Sequence, residues 1–215
     1  MATDIDIANM ALSRLGTRAT VADLSENSTE AREINRWYET IRDDLLGMLD
    51  WNFNRVSQPL ASSGTPPTRW GYSYAYPADC LKIWRLDFGS GWSWTRWNGM
   101  AIPFEIASDG TNPFLYCNDA VANAVYSQRV TDPSRFSSAF VLAFVDCLAA
   151  AVALPITQKA DLAERLARHA QDRVEKAQAD SANERSSTER FEVAESLAVR
   201  GFEDGPLAYL NGSWR

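Results

Sequence analysis

Histidine is almost absent: the 215 residues contain only His169. A metal centre built from several imidazoles is excluded, and Ser-His-Asp chemistry would have to run through that residue alone. Cysteine is scarce too. Cys80, Cys117 and Cys147 are odd in number and widely spaced, which argues against a disulfide framework or a thiolate zinc site. Positive charge is in deficit, with 21 Lys and Arg against 28 Asp and Glu and a formal net charge of −7. A protein that grips nucleic acid through its phosphates needs clustered Lys and Arg, so general nucleic-acid binding is not expected. Glycine-rich phosphate loops are missing as well, because Gly89-Ser90-Gly91 lacks a third glycine and a following helix. Neither a His-Glu-x-x-His pair nor a Gly-x-Ser-x-Gly nucleophile elbow occurs.

Long apolar runs are also lacking. The most apolar, Ala139 to Leu154, is broken by Asp146 and falls short of the ~20 residues a helix needs to cross a bilayer. It reads as a buried core helix. The opening Met1-Ala2-Thr3-Asp4-Ile5-Asp6 has no basic region and no apolar stretch, so no secretion signal is expected. The chain is expected to be made and folded in a cytoplasm.

What is present is core-forming material: 46% apolar residues and eight tryptophans. A first helix is expected from about Asp4 to Leu15, with Ile5, Ala8, Leu12 and Leu15 on one face, Thr3 or Asp4 as cap and Gly16 as stop. Asn27 with Glu30 resembles a capping box for a second helix reaching about Leu49. Its stripe is Ala31, Ile34, Tyr38, Ile41, Leu45 and Met48, and Trp51 and Phe53 lock its exit. Gln58 to Arg69, rich in Pro, Ser, Thr and Gly, reads as a connecting loop. Strands are expected at Leu81–Leu86, Ile102–Ile106, Phe114–Cys117 and Val121–Val130, with turns at Asn98-Gly99 and Asp109-Gly110. Thr131-Asp132-Pro133 signals a third helix, which Pro155 stops. A fourth begins near Thr157, with Leu162, Leu166, Ala170, Val174 and Ala177 as its stripe. The acid-before-base pairs Asp161–Arg165, Glu164–Arg168 and Asp172–Lys176 decorate its solvated face.

The expected fold class is therefore α+β, mainly α: an antiparallel helical bundle with an inserted antiparallel β-meander and an extended C-terminal arm. Residues 1–57 and 131–185 make the two parts of the bundle, 58–130 the β-rich insertion and 186–215 a docking arm. In that arm Phe191, Leu197, Phe202, Leu207, Tyr209, Leu210 and Trp214 stand among glycines and look like anchors for a partner's groove. The alternative is that the segment folds back on its own domain.

Candidates for chemistry are few. Asp43 and Asp44 are adjacent on a helix and point about 100° apart, so they cannot work as an acid–base pair. Asp146 is the one carboxylate inside an apolar helix. A buried acid can serve as a general acid, but pairing with an arginine of a neighbouring helix or subunit is the better expectation. Trp92, Trp94 and Trp97 could stack on nucleobases or sugars, yet without accompanying Lys and Arg they fit packing within the meander or against an adjacent subunit better. No catalytic, cofactor or metal residue is assigned.

One resemblance emerges from the order of motifs. Ala11-Leu12-Ser13-Arg14-Leu15-Gly16 is followed by Asp23-Leu24-Ser25. A helix with Tyr38, Arg42, Asp43 and Leu45 then closes on Trp51-Asn52-Phe53, and Tyr74-Ala75-Tyr76-Pro77-Ala78-Asp79-Cys80-Leu81 comes later. This order resembles the tail tubular protein A and head-to-tail adaptor family of short-tailed bacteriophages. The likeness implies a structural connector of the virion, made in the host cytoplasm, with no cofactor and no enzymatic activity. It implies a homo-oligomeric ring, commonly a dodecamer, that binds the portal protein and joins it to the tail nozzle or tail tube. DNA would pass through the channel during ejection without specific binding, and no membrane would be involved. Twelve copies would carry about −84 formal charges, a wall that repels phosphates. Two other readings stand beside this one: a tail-associated peptidoglycan hydrolase, and an oligomeric adaptor module of a non-phage assembly.

Overall fold

The computed structural model describes residues 2–88, 102–108 and 110–184. Helix α1 (Asp4–Arg14) starts at a full capping box. Thr3 Oγ1 accepts from the Asp6 amide at 3.1 Å, and Asp6 accepts from the Thr3 amide at 2.9 Å. Gly16, at φ +72°, supplies the left-handed residue just beyond its end. Helix α2 (Thr29–Met48) is capped by Ser28, whose Oγ accepts from the Ala31 amide, one residue after the expected Asn27. Its buried face is turned from the expected stripe: Arg42 and Leu46 are buried, while Ile41 is half-buried and Met48 exposed.

Six strands follow: β1 (Arg55–Pro59), β2 (Tyr72–Ala75), β3 (Cys80–Phe88), β4 (Phe104–Ser108), β5 (Pro113–Cys117) and β6 (Ala122–Gln128). Asp132 and Pro133 start only a 3-10 turn, Pro133–Arg135, not the third helix itself. Helix α3 (Ser138–Thr157) has its own cap in Ser137, which accepts from the Phe140 amide. It runs past Pro155 to a left-handed Gln158 at φ 56°, so the proline does not stop it as expected. Helix α4 (Ala160–Asn183) completes the described chain.

The expected mainly helical bundle with an inserted meander is incorrect. The described residues are mixed, 46% helical and 21% strand, with two three-stranded antiparallel sheets beside the four helices. Neither sheet is a meander. The orders are β1-β6-β3 and β2-β5-β4, so the last strand in sequence sits between the first and third. Among the described strands only β4 and β5 are paired chain neighbours, turning at Gly110 with φ +93°. The stretch expected as loop also contributes: residues 61 to 63 run along β2, with the Ala75 and Ser63 amides donating to Ala61 and Ser73 carbonyls at 2.9 Å.

Two apolar cores result. The first gathers α1, α2, α3 and part of α4. Nine of the twenty α3 residues are buried, which explains why this helix is apolar on most faces. Its composition and length would suit a membrane span, yet it lies at the centre of the helical layer. Edge-to-face rings thicken this core: Trp51 on Phe140 at 5.2 Å, Phe53 on Phe140 at 5.2 Å and Tyr38 on Phe144 at 4.9 Å. The second core lies between the sheets, with Ile83, Leu86, Ala124 and Tyr126 from one and Tyr74, Leu115 and Cys117 from the other. Strand β6 is buried on both faces. Its Ala124 and Tyr126 face the sandwich, while Ser127 reaches the helical layer and accepts from Trp84 Nε1 at 2.9 Å.

Candidate functional site

The only buried carboxylate among the described residues that is ringed by cations is Asp146, in the middle of α3. It is 1% exposed. Arg14 Nε, from the end of α1, lies 3.0 Å from Oδ1. From α4, Arg173 Nε donates to Oδ2 at 3.3 Å and His169 Nδ1 lies 3.3 Å from the same oxygen. Arg14, His169 and Arg173 reach the surface, with side chains 40%, 51% and 32% exposed. A carboxylate this deep is tolerable only when its charge is matched, and here two guanidiniums match it. The expected pairing with an arginine of a neighbouring helix is what the structure holds, and it joins α1, α3 and α4 at one point. Next along α3, burial pushes the Cys147 thiol up to about 11, with the Asp146 and Asp44 charges adding to it.

A second polar centre sits where the chain crosses from one sheet to the other. The segment Tyr76-Pro77-Ala78-Asp79 links β2 to β3. Asp79 accepts from Tyr126 Oη at 3.1 Å and from Gln128 Nε2 at 2.7 Å, and its carbonyl accepts from the Arg129 amide at 2.7 Å. The Cys80 thiol donates to Tyr76 Oη at 3.2 Å. Burial raises the Tyr126 phenol to about 12, with the Asp79 carboxylate reinforcing it, and burial raises the Cys80 thiol to about 11. Both groups therefore stay protonated near neutrality and act as hydrogen-bond donors.

The remaining motif residues also form joints. Tyr38 donates to Asp4 at 2.6 Å, tying α2 to α1; burial and that carboxylate hold its phenol well above the usual range. Arg42 and Arg129 both bridge Asp43 at 3.0 Å, tying α2 to the chain just after β6. Trp51 Nε1 donates to the Leu45 carbonyl at 2.8 Å, folding the exit of α2 back on itself. Asn54, fully buried, donates through Nδ2 to the Leu46 carbonyl, and its backbone carbonyl accepts from the Gln128 amide.

Two clefts lie among the described residues. One of about 310 Å³ lies among Trp51, Phe53, Ser138, Asp180 and Glu184. Another of about 600 Å³ lies among Tyr76, Cys80, Pro113 and Phe114. Neither contains the Asp146 cluster. No group of three or more His, Cys, Asp or Glu among the described residues is arranged to hold a metal.

The aromatic and arm residues singled out from the sequence fall outside the described residues: Trp92, Trp94 and Trp97, and Phe191, Leu197, Phe202, Leu207, Tyr209, Leu210 and Trp214. The Asp146 partners Arg14 and Arg173 were not identifiable in advance, since they lie far apart in sequence. Of the three expected pairs on α4, Glu164–Arg168 forms at 3.0 Å on the open surface, whereas Arg165 Nε donates to the Asp161 carbonyl. No protein-family model matches the chain, and a search of curated proteins returns no match.

Proposed function

We propose that this chain is a head-to-tail adaptor of a short-tailed bacteriophage, a structural ring subunit that sits beneath the portal and continues the DNA channel. The observation that carries this reading is the ordered set of motifs from Ala11 to Leu81. Their conspicuous side chains make joints: Tyr38 between two helices, Trp51 within the turn leaving α2, and Asp79 at the corner between sheets. Joints of that kind suit a rigid building block. Trp37 and Met48 add exposed apolar side chains on α2, 39% and 50% exposed. Trp and Met are enriched where subunits meet. The charge of −7 per subunit suits a channel through which a polyanion slides.

The reading is tested by measuring the mass of the purified chain alone and after mixing with the portal protein of the same virion. A discrete complex holding many copies per portal ring is expected. A folded sample that never associates with the portal sinks the proposal.

A further inference from the structure

We infer that Arg14, His169 and Arg173 together form a binding site for a phosphate group, with Asp146 as the residue that positions them. Both arginines meet Asp146 through Nε, at 3.0 and 3.3 Å. Among the described residues neither guanidinium makes a hydrogen bond through its terminal amino groups, and both side chains are part exposed. His169 Nδ1 lies 3.3 Å from the same carboxylate, and its side chain is half exposed. Three part-exposed cationic or polar side chains thus converge on one buried carboxylate, Arg173 hydrogen-bonded to it and Arg14 and His169 within ion-pair distance. When the imidazole carries both protons, Nε2–H donates to a bound oxyanion as well.

Charge and shape select the ligand class. Two guanidiniums against one carboxylate leave the cluster net positive inside a chain of −7. Arg14 approaches from α1 on the Oδ1 side, and His169 and Arg173 approach from α4 on the Oδ2 side. Donors arriving from two helices suit a tetrahedral oxyanion, which offers oxygens in several directions, better than a planar carboxylate with two. This inference does not depend on the adaptor reading.

The single histidine makes the test direct, because the full chain gives one set of imidazole signals in a proton–carbon NMR spectrum. Inorganic phosphate is titrated against chloride at matched ionic strength, with acetate as the carboxylate probe. The His169 signals are expected to shift saturably with phosphate, not with chloride, and more weakly with acetate. Arg14→Lys and Arg173→Lys keep a positive charge beside Asp146 but remove the fork, so each should weaken phosphate binding about tenfold while circular dichroism is unchanged. A short DNA duplex separates the sources. A shift at fewer phosphate equivalents than the free ion assigns the group to a nucleic-acid backbone, and a response to the free ion alone assigns it to a small phosphorylated ligand. The proposal fails if the wild-type signals do not saturate, if chloride or acetate matches phosphate, or if folded lysine variants bind like the wild type.

Discussion

At the scale of single residues, Asp146 matters most to the helical layer. Removing its charge leaves Arg14 and Arg173 with no carboxylate partner, yet both are partly in water and can hydrate. The cost is therefore below that of a fully buried broken pair. Asp146→Asn should lower stability by about 1–3 kcal/mol in urea denaturation, and an unchanged midpoint would contradict the ion-pair account. The buried thiols give a second expectation. Cys80 and Cys147 are raised from 9.0 to about 11 in the native chain. Their folded values lie above the unfolded ones, so the native state keeps protons that the unfolded chain releases. Stability is then full below about pH 9 and falls as pH rises toward 11. The urea midpoint should drop across that window, and a Cys80→Ser, Cys147→Ala variant should drop less. Equal slopes in the two proteins would refute the assignment.

At the scale of elements, Gln158 ends α3 in a left-handed conformation, φ 56°, that favours glycine. Gln158→Gly should raise stability by about 0.5–1 kcal/mol, read as a higher thermal midpoint. A lower midpoint would mean that the side chain contributes more than its backbone strain costs. The helices were legible because apolar spacing and caps are local: Thr3, Gly16 and the Ala31–Ile34–Tyr38–Leu45 face needed no distant partner. Most strands were legible, since β3, β4, β5 and β6 were expected from alternating or apolar runs, β4 two residues early. β1 and β2 were missed, one short and ending in Pro59, the other following a stretch of turn residues. Strand order was not legible at all. The pairings of β6 with β1 and β3 join residues such as Arg55 and Ser127, and no local pattern encodes that. The Asp146 site was legible as a buried charge needing a partner. Its partners were not, because α1 and α4 meet only in the folded chain.

At the scale of the whole described region, a helical layer, a first sheet and a second sheet stack in that order, with β6 buried on both faces. Polar side chains fix the junctions: Ser127 and Asn54 between helices and sheet, Asp79 between the sheets, Asp146 within the helices. Helix α4, 24 residues and so roughly 36 Å long, offers only Ala170 and Ala177 as fully buried positions, and its other sides face water. A rigid, acidic block with an open helical flank and exposed apolar side chains on α2 is suited to assembly with copies of itself. The most direct measurement is electron microscopy of the purified chain mixed with its portal protein. The account predicts a ring of copies stacked coaxially on the portal with an open central channel. Well-folded single molecules scattered beside undecorated portals would contradict it.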